Sequence, residues 1–182
     1  MKRAIAVLSL AAACSAASAF AQDSFAQGPI KRVLLISVDG MHAVDFENCA
    51  KGISYTWLFD VRNKRNPVSV STLPTPSDQA WCRPGENFGP HNLHENRPDA
   101  FQSETILFAT YHNAGVRVFD IENAFQPREA GFFVPPDPER MFDPRPNRPR
   151  VIQSCDCFVD AQGVMYLTDN NAGLYILQFE GP

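Results

Sequence analysis

The chain has 182 residues with 16 basic and 20 acidic side chains, a formal net charge of −4, and 45% hydrophobic residues. That is enough for one modest domain with a core of its own. The acidic balance, without clustered Lys and Arg, excludes a phosphate-backbone binder, so no nucleic-acid partner is expected.

The first element is a leader. Lys2 and Arg3 precede an apolar stretch from Ala4 to Ala13, and Ala19-Phe20-Ala21 stands ahead of Gln22. This pattern predicts a signal peptide over residues 1–21, cut after Ala21, and an exported product that is periplasmic or extracellular. The apolar stretch falls well short of the roughly 20 residues that a bilayer-crossing helix needs, so no membrane span is expected. Cys14 offers a lipid-attachment alternative, against which Ala11 stands where a large aliphatic residue is usual. Processing leaves 14 basic and 20 acidic residues and four cysteines: Cys49, Cys82, Cys155 and Cys157. In an oxidising compartment these can pair in three ways.

Residues 22–56 read as a strand-helix segment. "VLLISV" (33–38) is a continuous apolar run suited to a buried parallel strand, with Asp39-Gly40 at its carboxyl end. "MHAVDFENCAKG" (41–52) then has near-helical spacing and a closing Gly. No helix is expected beyond it.

Residues 57–182 repeat themselves. "ILFATYHNAGVRVF" (106–119) aligns with "VMYLTDNNAGLYIL" (164–177), sharing Thr110/Thr168, Asn113/Asn171, Ala114/Ala172 and Gly115/Gly173. Each copy reads as strand, Asn-Ala-Gly turn, strand, with the Gly free to take a positive φ. In the same way "LFDVRNKRNPV" (58–68) aligns with "VFDIENAFQPR" (118–128). Asp60 and Asp120 are expected to cap the turns, and Pro67 and Pro127 to open edge strands, where no ladder donor is required. "PHNLHEN" (90–96) and "SCDCFVD" (154–160) are expected as further strands, so a unit holds four antiparallel strands in meander order. The fold class is all-β: a partial β-propeller of four-stranded blades, with a Greek-key sandwich as competitor. The loop "PPDPERMFDPRPNRPR" (135–150), with six prolines, excludes helix and central strand and reads as a stiff extension or a partner-binding face.

"GVRVFDIENAFQPREAGFF" and "WLFDVRNKRNPVSVSTLPTP" resemble the LVIVD-repeat proteins, whose motif is an apolar strand ending in Asp, a polar turn and then Pro. "GLYILQFEGP" departs from that pattern, lacking the Asp and ending early. The resemblance implies an extracytoplasmic, non-catalytic β-propeller that serves as a binding or interaction module. It brings no catalytic residues and no cofactor. Two and a half blades cannot close a ring, so the partner is either an unknown protein or a second chain paired through open blade edges.

The start at 30–50 resembles a different family, the alkaline phosphatase and nucleotide pyrophosphatase superfamily. That resemblance implies a metal-dependent phosphoesterase in which Asp39 binds a divalent metal, zinc being the alternative cofactor. Thr75 and Ser77 are the nearest hydroxyls to the family's nucleophile, but Gln79 stands where the motif puts one, and the downstream ligands are missing. The two resemblances in this order imply a hybrid or truncated chain.

Three residues make the candidate ligand site: His91, His94 and Glu95, two imidazoles beside an acid. A spacing of three on a strand puts the histidines on opposite faces, so only a turn brings them together. His112 and Asn113 read as turn formers, and Glu122 and Arg128 as exposed turn charges. Cys155 and Cys157 would share a strand face; a zinc site including Asp156 is one reading, and a cross-strand disulfide to Cys82 is the simpler one.

Overall fold

The computed structural model describes residues 33–36, 55–76, 81, 87–144 and 146–181. The signal peptide, the helix expected over 41–52, Asp39, Ser77, Gln79, Cys14, Cys49 and Cys82 lie outside the described residues. Among those described there are nine strands and no helix: β1 Val33–Ile36, β2 Trp57–Asp60, β3 Val68–Thr72, β4 Ile106–Thr110, β5 Val116–Asp120, β6 Arg128–Phe133, β7 Ser154–Val159, β8 Val164–Asp169 and β9 Gly173–Gln178. They form three antiparallel sheets, ordered β1-β2-β3, β4-β5-β6 and β7-β8-β9. Each sheet takes its strands in chain order, and in the second and third sheets short turns join them.

The same turn is built twice. Asp60 accepts the Arg62 N–H at 2.9 Å and Asp120 the Glu122 N–H at 2.9 Å. Three residues after each Asp, Asn63 accepts from Arg65 N–H and Asn123 from Phe125 N–H. In both copies Pro then precedes an edge strand, β3 or β6, where its missing N–H costs no ladder bond. The bulge is copied as well. The β2–β3 register shifts between Leu58 and Phe59, and the β5–β6 register between Val118 and Phe119, leaving Val70 and Ala130 as the extra residues.

Both Asn-Ala-Gly hairpins form, with Gly115 at φ 72° and Gly173 at φ 96°. At Gly115 a Cβ would collide with the carbonyl oxygen of Phe133, so the turn needs glycine for space as well as for φ.

The apolar 33–36 run is not a parallel strand. β1 lies antiparallel to β2, Val33 opposite Asp60 and Ile36 opposite Trp57, which is how β4 meets β5, with Ile106 opposite Asp120 and Ala109 opposite Arg117. A continuous apolar stretch reports burial, not strand direction.

The sheets are also narrower than four strands. Residues 91–94 reach β4 through three backbone bonds, from His91 N–H to Thr110 O, Thr110 N–H to Asn92 O and His94 N–H to Phe108 O. Only Leu93 makes a ladder bridge there, opposite Ala109. Pro90 ahead of the segment has no N–H to give, and both histidine side chains leave it for the third sheet.

The second sheet is covered on both faces. Leu107, Ala109 and Phe119 pack with Leu58 and Leu73 of the first sheet side. Phe108, Val116 and Val118 pack with Cys157, Val159, Met165 and Leu167 of the third. Alternation along each strand sends successive residues to opposite neighbours. Each fully buried large side chain, such as Phe108 or Leu167, contributes about 2 kcal/mol.

Candidate functional site

A cleft of about 630 Å³ opens between the segment 91–97 and the first strand of the third sheet, with Asp156, Cys157 and Phe158 on its far wall. The segment follows β7 because its two histidines bond that strand in turn: His91 Nδ1 lies 2.5 Å from Cys155 O, and His94 Nδ1 3.2 Å from Val159 N. Thr110 Oγ1 adds a third tie, donating to Cys155 O at 3.0 Å. Second and third sheets are thus joined here by polar bonds as well as by apolar packing.

His94 is buried, and both of its ring nitrogens are engaged. Nδ1 faces a backbone N–H and must accept; Nε2, 2.9 Å from Phe101 O, must donate. This fixes one neutral tautomer. The ring also makes edge contacts with Phe108 and lies 5.8 Å from Phe158. Such an imidazole is a structural bridge: it has no lone pair left for a metal and no nitrogen left for a proton transfer.

His91 is half-buried, its ring 4.5 Å from that of His112. Glu95 is exposed on the cleft lip. His91, His94 and Glu95 all line this cleft, and the two histidines are committed to different carbonyl and amide partners along β7. Sequence reasoning missed Arg97, whose guanidinium lies 4.8 Å from the Phe158 ring centroid and continues the cleft wall. Arg-aromatic proximity across 61 positions leaves no local signal in a sequence. Among the described residues no three His, Cys, Asp or Glu side chains come close enough to share a metal ion.

The two cysteines part company. A bulge between Ser154 and Asp156 breaks the alternation of β7, so Cys155 Sγ meets Thr168 Oγ1 at 3.3 Å while Cys157 turns into the core with Met165 and Leu167. Both are free thiols, and Cys82, the expected disulfide partner, lies outside the described residues. Burial pushes the Cys157 thiol up to about 12, with the Asp156 charge adding to it, and burial also raises Cys155.

The turn formers hold the other end of the sheet junction. His112 bridges both Phe88 and Ser154. The Gln153 side chain donates to Asn113 Oδ1 and to Asn87 O, while Asn113 Nδ2 donates to Trp81 O. Asp169 lies buried under four donors: Gln153 N–H, Ser154 Oγ, Asn171 N–H and Ala172 N–H. At the outer turns Glu122 and Arg128 are exposed, Arg128 pairing with Asp120.

The chain matches no protein-family model, no curated protein and no solved structure.

Proposed function

We propose that the chain is an exported, non-catalytic repeat module of the β-propeller type, resembling the LVIVD-repeat proteins, and that it binds a protein partner at the cleft of His91, His94 and Glu95. The observation that carries this reading is the recurrence of one sheet design, with copied turns and a copied bulge, in sheets that cover one another face to face. Blades that cannot bury their own faces behave in this way. The engagement of both His94 nitrogens favours binding over proton chemistry. Glu95 and Arg97 give the cleft charges of both signs, which suits a polar, extended peptide segment better than a uniformly charged ligand.

The test has three arms. The exported chain, purified from its compartment, should begin at Gln22; a retained leader would remove the export reading. Full-length protein used as bait in a periplasmic extract should retain a protein that the Glu95→Arg, Arg97→Glu variant does not. A phosphoesterase, by contrast, would turn over p-nitrophenyl phosphate in added zinc and lose that activity on Asp39→Ala. That outcome would replace the present reading.

A further inference from the structure

The third sheet exposes an apolar face that its repeat counterpart buries. Phe108, Val116 and Val118 of the second sheet are 0%, 1% and 7% exposed, because the third sheet covers them. The residues at the same places in the repeat are Tyr166, Leu174 and Ile176, at 36%, 57% and 64%. At the other end, the first sheet shows the opposite kind of face. Trp57, 43% exposed, stands where the second sheet has Arg117, 4% exposed and lying on the side covered by the first sheet. Each sheet therefore has a leading and a trailing face, and within the chain a trailing face always meets the next sheet's leading face. Among the described residues one face of each kind is left unmet.

A polar detail repeats the pattern. Asn113 Oδ1 accepts the side-chain amide of Gln153 from the segment leading into the next sheet. Its counterpart, Asn171 Oδ1, is buried and has no partner.

We propose that a second copy of this chain supplies the missing neighbour. The trailing face of the third sheet, with Tyr166, Leu174 and Ile176, seats the leading face of the partner's first sheet, centred on Trp57. This rests on the repeat-module reading above and names a partner for it. The contact is head-to-tail and continues the two interfaces already present inside the chain. Two copies joined in this way at both ends make a ring of six sheets, within the four to eight blades of closed propellers.

Sedimentation of the full chain over about 1 to 100 µM should show a dimer that dissociates on dilution. Leu174→Asp with Ile176→Asp, and separately Trp57→Asp, should each give a monomer with an unchanged β-type circular dichroism spectrum. Mixing the two variants should restore a dimer, because one intact trailing face then meets one intact leading face. Pairing through strand edges would not show this rescue. A wild-type monomer at every concentration, a dimer insensitive to both substitutions, or two monomeric variants that stay monomeric when mixed would overturn the proposal. A monomer that still melts cooperatively and retains a protein through the cleft would overturn self-assembly alone and leave the binding module standing.

Discussion

His94 Nδ1 accepts the Val159 backbone N–H at 3.2 Å, tying the segment ahead of the second sheet to the last residue of β7. The bond makes the histidine part of the frame that shapes the cleft. His94→Leu keeps most of the volume but orphans the Val159 N–H and the Phe101 carbonyl. An unsatisfied buried group costs about 1–3 kcal/mol, so the variant should lose about 3 kcal/mol in urea unfolding. His94→Gln can still donate and accept, and should lose less.

The two hairpin glycines should respond differently to alanine. Both sit at positive φ, which costs alanine about 1 kcal/mol. At Gly115 the new methyl meets the Phe133 backbone, while at Gly173 it meets only the ring of Phe142, which is 75% exposed and can swing away. Gly115→Ala should lower stability by about 3 kcal/mol or more and Gly173→Ala by about 1, read from denaturant midpoints.

Thiol labelling should separate the cysteines. With its thiol pushed up to about 12, Cys157 is thiolate in only about one molecule in ten thousand at pH 8. Native protein treated with iodoacetamide and mapped by mass spectrometry should carry the label at Cys155 well before Cys157. Unfolding in urea should equalise the two.

Acid should weaken the outer turns. The Arg62 side chain, followed by its N–H, holds Asp60 below the usual carboxylate range; the Glu122 N–H, then Arg128, does the same for Asp120. A folded-state pKa below the unfolded value gives stability that is present above pH of about 4 and lost as pH falls through the folded value. Asn at both positions keeps the turn acceptor and removes the charge. Asp60→Asn with Asp120→Asn should therefore melt below wild type at pH 7, and the gap should narrow toward pH 2.5.

How much of this was readable in the residues depended on how far apart the partners stand. The Asn-Ala-Gly turns and the Asp-to-Pro turns were legible because their bonds close within a few residues, as from Asp60 to Arg62. The direction of β1 was not, since its partner Trp57 lies beyond a long connection and an apolar run is silent about orientation. The bulge at Cys155 was hidden too: one extra residue inverts the faces that simple alternation assigns. At the site, the role of His94 was not legible. His91, His94 and Glu95 line one cleft, but what His94 does is decided by Val159, 65 residues away.

The doubly covered second sheet has a consequence for how the molecule opens. Within a single, dissociated copy its amides are shielded on two sides, whereas Trp57 of the first sheet and Leu174 and Ile176 of the third stand exposed to water. In dilute, dissociated protein deuterium should therefore enter the flanks first, starting at the margin strand β9, and reach Phe108 and Val118 only through the rarest openings. The molecule frays from its ends inward, like a short stack of cards whose middle card is the last to come free.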